Sequence, residues 1–107
     1  MVSPATPSYF VVRRARGPAW NAAVPLREQV LWNEHAAFMD ALTDEGFVVL
    51  GGPLGGSAGA MLIVNAPDEA EVRKRLAEDP WEQSGHLAVE RINSWTILLH
   101  HRNREFP

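Results

Sequence analysis

A chain of 107 residues supplies one domain, with enough sequence for a real core and too little for two. Hydrophobic residues make up 46%, which excludes a disordered class, and a formal net charge of -3 excludes a basic surface built for nonspecific nucleic-acid binding. The lack of cysteine removes disulfides, thiolate metal sites and thiol nucleophiles together, and it fits a reducing compartment.

The stretch Met1 to Ser8 has neither a charged n-region nor an apolar h-region, so no signal peptide is read there. No apolar run approaches the roughly 20 residues of a membrane helix, and a cytoplasmic protein is expected. Residues 1-107 are read as a single domain, with loose ends over 1–8 and 101–107. Tyr9-Phe10-Val11-Val12-Arg13 is β-branched and aromatic, the signature of a first strand. Arg14 to Pro25 contains Gly17, Pro18 and Pro25 and reads as a long loop with a short turn near Trp20.

From Leu26 to Glu45 the pattern is helical: Leu31, His35, Phe38, Met39 and Leu42 recur at steps of three and four, and Gly46 is the stop. Phe47 to Leu50 is a second strand running into Gly51-Gly52-Pro53, a glycine-rich turn follows, and Ala60 to Val64 is a third strand. Asp68 and Glu71 form a capping-box pattern ahead of a helix whose apolar side holds Val72 and Leu76. Asp79, Pro80 and Gly85 cap, open and close one further helical turn. His86 to Leu99 is a final strand, with a bulge expected at Asn93-Ser94. The order β-α-β-β-α-β is the ferredoxin-like arrangement, an α+β fold on a four-stranded antiparallel sheet.

The strands are apolar at consecutive positions, and successive strand residues point to opposite faces. Both faces therefore need cover, yet two helices cover one. A homodimer packing sheet on sheet is the expected solution; folding of the Arg14–Pro25 loop over the bare face is the alternative.

His35 sits on the inward stripe of its helix. There it is either a core histidine with one satisfied nitrogen or a group facing a pocket, and periodicity alone favours the first. Asp79 is fully explained as a helix cap, and Gly51-Gly52-Pro53 as a turn, although glycine amides also suit close approach to a developing negative charge. Trp32, Trp81 and Trp95 are candidates to line a pocket for a flat ligand, or to pack a core. His100-His101 alternate across a strand, and no ligand spacing suggests a metal site.

Together, Trp32-Asn33-Glu34-His35, Phe38 to Leu42, Gly46 to Leu54, and Asp79-Pro80-Trp81 followed by a strand with Ile92 and Trp95 resemble the YciI-like (YCII-related) family of the dimeric α/β-barrel superfamily. The resemblance runs from Tyr9 to Leu99 and implies a ferredoxin-like protomer, a face-to-face homodimer, and a site built on a histidine and an aspartate, here His35 and Asp79. Superfamily relatives include muconolactone isomerases, and a dehydrochlorinase acting on a chlorinated hydroxyhydroquinone looks similar. The longer loop at Arg16 to Trp20 departs from the smallest members.

The expected activity is proton transfer on a small cyclic or carbonyl compound, an isomerisation or an elimination, with no cofactor. His35 is the acid or base and Asp79 orients it, while Gly52, Pro53, Trp32 and Trp81 form the substrate-binding wall. The alternative is a noncatalytic dimer that binds a small molecule in the same place. A purely structural dimer and a haem monooxygenase are weaker readings. Neither nucleic acid nor membrane is an expected partner.

Overall fold

The computed structural model describes residues 7–56 and 59–101. The first strand, β1, runs from Tyr9 to Arg16 and buries alternate residues Phe10, Val12 and Arg14 toward the helices. It is longer than its sequence suggests. Arg14, Ala15 and Arg16 read as the start of a loop, but their backbone has ladder partners on both sides, Ala60 and Gly59 across one edge, Val89, Ala88 and Leu87 across the other. Satisfying those amides and carbonyls outweighs the low strand propensity of a charged run.

The remaining strands are β2 (Val48–Pro53), β3 (Gly59–Asn65) and β4 (Leu87–Trp95), and the sheet is antiparallel in the order β2-β3-β1-β4. This is the ferredoxin-like order, as expected. The irregularity in β4 is not at Asn93-Ser94, which pair regularly with Val11 and Phe10. It falls at Glu90, left over because Arg13 pairs with Arg91 and Arg14 with Val89. A bulge is set by the register of two strands, so polar residues in one strand do not locate it. Ile97 to Leu99 lie beyond the end of β4.

Helix α2 (Glu69–Leu76) begins as its sequence demands, with the Asp68 carboxylate accepting from the Glu71 N–H. Helix α3 (Pro80–Ser84) is capped by Asp79 and closed by Gly85 in the left-handed conformation. The segment expected to be one helix from Leu26 to Glu45 is divided. A 3-10 turn covers Leu26–Glu28, Leu31 is left-handed at φ 67°, and α1 spans only Trp32–Asp44. The left-handed region costs a leucine on the order of 1–2 kcal/mol. What the break supplies is a carbonyl: Val30 accepts the indole N–H of Trp81 at 2.8 Å, a bond that a continuous helix would forbid.

The core lies between the helices and one sheet face, where Phe10, Val12, Leu62 and Val64 meet Leu42, Val72 and Leu76. On the other face Leu50, Met61 and Trp95 are exposed. The segment 17–25 does not lie over that face. The Gly17 and Ala19 N–H groups donate to the carbonyls of His86 and Gly85, and the buried Gln29 amide holds the loop through Asn21 and Val24. No helix among the described residues is long and apolar enough to cross a membrane.

Candidate active site

His35 faces inward because α1 places it three residues before Phe38 and seven before Leu42 on one stripe. Asp79 reaches the same point from the other half of the chain, as the cap of α3. Its carboxylate accepts the Trp81 N–H at 2.9 Å and still has capacity for more. Both oxygens lie 2.9 Å from Nδ1 of His35. The candidate pair drawn from sequence therefore meets in space.

A third residue completes the group. Arg14, the inward arginine of β1, donates from Nη2 to Asp79 Oδ2 at 2.6 Å. Its position was legible as the next step of the Phe10, Val12 alternation, but the charge made it read as loop. Arg14 Nη2 also lies 3.2 Å from Glu82 Oε2, near enough for an ion pair but not aligned for a hydrogen bond. The Arg14 side chain is 2% exposed and that of Asp79 0%, so each charge depends on the other.

Burial pushes the Asp79 carboxyl up, but hydrogen bonds from His35 and Arg14, the Arg14 charge and the Trp81 N–H outweigh it and hold the group below the ordinary carboxylate range. Asp79 is thus an acceptor, which assigns the proton to Nδ1 of His35 and leaves Nε2 as the nitrogen able to take one. For Glu82 burial wins. Desolvation raises its carboxyl despite the Arg14 charge, and the neighbouring Asp79 adds to the rise.

His35 stands in the wall of a cleft of about 450 Å3, a size suited to a small organic molecule. The Trp81 indole is stacked on the imidazole, with centroids 3.9 Å apart and planes 10° from parallel. Trp32 and Trp20 pack against Trp81 at 5.7 and 5.3 Å. Gly52, Pro53, Trp32 and Trp81, the four residues expected to form a substrate-binding wall, all line this cleft. Trp95 does not, because it lies exposed at the far end of β4. Trp20, from the loop, stands in the cleft wall instead. At Gly52 a Cβ would meet nothing within 4 Å, so packing does not require glycine there.

His86 went unrecognised because the residue opening a strand carries no periodic signal. It is buried, lies nearly parallel to Trp81 with centroids 5.6 Å apart, and binds Ser84 Oγ through Nδ1 at 2.6 Å. It buttresses Trp81. Among the described residues no cluster of three or more histidines and carboxylates could hold a metal ion.

An antiparallel α+β sheet carrying a histidine–carboxylate pair beside an aromatic cleft defines the class of domain. The model of the YCII-related domain matches residues 18–96, and the chain belongs to that family. Among solved structures it is similar to 5-chloro-2-hydroxyhydroquinone dehydrochlorinase (TftG) from Burkholderia phenoliruptrix, determined in complex with 2,5-dihydroxybenzoquinone. The TM-score is 0.58 at 24% identity, over 81% of this chain and 92% of that one, a likeness of fold. No curated protein matches the chain significantly.

Proposed function

We propose that the protein is an enzyme that moves a proton on a small, flat, enolisable ring compound, with His35 as the base and Asp79 as the group that orients it. The observation that carries this reading is the grip on one imidazole. Asp79 holds its Nδ1 edge at 2.9 Å, Trp81 holds its face at 3.9 Å, and the ring lines an open cleft. A core histidine needs only one satisfied nitrogen; this one is also oriented and stands where a ligand can reach it.

In such a reaction Nε2 takes a proton from a carbon next to a carbonyl, and the electron pair moves onto the carbonyl oxygen. The imidazolium is stabilised by Asp79, as in other histidine–carboxylate pairs. Return of the proton to a different carbon is an isomerisation. Loss of a leaving group from the enolate is an elimination, the reaction class to which the dehydrochlorinase belongs. Neither needs a cofactor. The aromatic wall of Trp20, Trp32 and Trp81 suits a flat ring, the shape of the ligand held by that similar structure.

The test is turnover of a panel of hydroxylated and halogenated quinones and cyclic enones, followed by absorbance. His35→Gln should lower the rate at least about a hundredfold, the lower range for loss of a general base. A compound that binds but is never converted would instead favour a noncatalytic binding protein.

We also propose that a second copy covers the sheet face bearing Leu50, Met61 and Trp95, whose exposure supports it. Sedimentation should give a dimer, and Leu50→Lys should weaken it. A stable monomer at high concentration overturns this part.

A further inference from the structure

The cleft holds two arginines with opposite circumstances. Arg14 is committed, its guanidinium occupied by Asp79 and near Glu82. Arg16, the last residue of β1, lines the same cleft and has no ion-pair partner among the described residues. Its guanidinium is nevertheless not adrift. It lies over the Trp20 ring, 4.5 Å from the centroid. Trp20 is itself packed edge-on against Trp81, and its loop is pinned through the Ala19 N–H to Gly85. An exposed guanidinium laid on an aromatic ring, with no hydrogen bond to it among the described residues, has its donor edge available to an anion.

Its position relative to the chemistry follows from the strand. Arg14 and Arg16 are two residues apart and face the same way, a separation of about 6.6 Å at strand rise. Arg14 grips Asp79, which grips His35. Arg16 thus stands one strand step beyond the residue that anchors the histidine–carboxylate pair, on the same side of the sheet. Asp40, a second charge in the cleft with no ion-pair partner among the described residues, lies on α1 five residues beyond His35, about 7.5 Å along the helix axis and toward its C-terminus. Since α1 runs into β2 at Val48, that is the end of the cleft away from Pro53, Gly59 and Arg16. Arg16 and Asp40 therefore mark different ends of the cleft.

We infer that the substrate carries an anionic group, most simply a carboxylate, which Arg16 binds through its planar edge while the ring lies against the tryptophans and presents a carbon to His35. This rests on reading the cleft as a substrate site. Arg16 is a specificity residue in it.

The probe is a matched pair of unreactive flat rings, 2,5-dihydroxybenzoate and 2,5-dihydroxybenzamide, titrated near neutral pH by quenching of tryptophan fluorescence. The acid should bind about tenfold more tightly than the amide, as a charge-assisted bidentate contact requires. Arg16→Gln should reduce that preference to within about twofold. Asp40→Asn should strengthen binding of the acid alone. His35→Gln should keep the preference, which separates this inference from the fate of the catalytic reading. A wild-type protein that binds both probes alike or neither, or an Arg16→Gln variant that still prefers the acid, overturns it.

Discussion

Trp81 covers the face of His35 at a centroid distance of 3.9 Å, while Asp79, two residues earlier in the chain, holds its Nδ1 edge. Both contacts come from the start of α3, a helix of five residues, Pro80–Ser84. Cap and stack are inseparable, so the geometry of the imidazole depends on one turn of helix.

Asp79→Asn distinguishes the cap from the charge. Asparagine caps as well as aspartate, so α3 should survive. Arg14, 2% exposed, loses the anion it hydrogen-bonds and keeps only the unaligned Glu82 contact, and breaking a buried pair costs about 3–5 kcal/mol. Urea denaturation should show a loss of that order. A loss under about 1 kcal/mol, the usual worth of an exposed pair, would mean that Arg14 is solvated in solution.

The two perturbed carboxyls predict opposite pH dependences. Asp79 lies below its ordinary value of 3.8 in the folded protein, so the unfolded chain binds more protons in the window between the two values. Its stabilisation is complete above the ordinary value and disappears as pH falls through the lower, folded one. Glu82 lies above its ordinary value of 4.5, so its contribution is lost as pH rises from that value through the folded one. Glu82→Gln should therefore gain stability relative to wild type with rising pH over that window and then level off. Melting curves across the acid range check it, and a wild-type advantage that grows with pH would contradict the sign.

Trp81 is 1% exposed and its indole N–H donates to Val30. Trp81→Phe keeps a ring on His35 but leaves the Val30 carbonyl without that donor, and it should cost about 1–3 kcal/mol. Trp81→Ala should cost about 3–5 kcal/mol and release the imidazole. If His35 acts as proposed, Trp81→Phe loses far less turnover than Trp81→Ala at a temperature where both are folded.

Two glycines should behave in opposite ways. At Gly17 an added Cβ runs into the Gly85 carbonyl, backbone against backbone, so Gly17→Ala should destabilise by about 1–3 kcal/mol and displace the loop bearing Trp20. At Gly52 nothing lies within 4 Å, and its pairing with Met61 turns an added Cβ to the exposed sheet face, so Gly52→Ala should leave both the melting temperature and ligand binding in the cleft unchanged. Thermal melts and the fluorescence titration read the two effects separately.

Much of the site was legible in the chain. His35 stands out as a polar residue on an apolar stripe and Asp79 as the cap of a turn closed by Gly85, but the resemblance to the family is what marks the two as one site. The strands of the sheet and the Asp68 cap were legible for the same reason: alternation and capping involve residues within about four positions of each other. Leu31, Arg14 and the bulge expected at Asn93-Ser94 depart from their local reading where a local rule meets a distant partner. Leu31 leaves the helical path to free the Val30 carbonyl for a tryptophan that comes 51 positions after Val30. Arg14 stays in a strand because β3 and β4 satisfy its neighbours.

Sequence by itself determined the element order and the caps, since each is written in short-range periodicity and turn chemistry. Only the tertiary structure decided which polar side chains meet: Arg14 with Asp79 across 65 positions, His35 with Asp79 across 44, and Trp20 with Trp81 at the cleft wall. Those meetings depend on strand register and on how a buried charge finds its counter-ion. Both are set by contacts between segments, which no local pattern encodes.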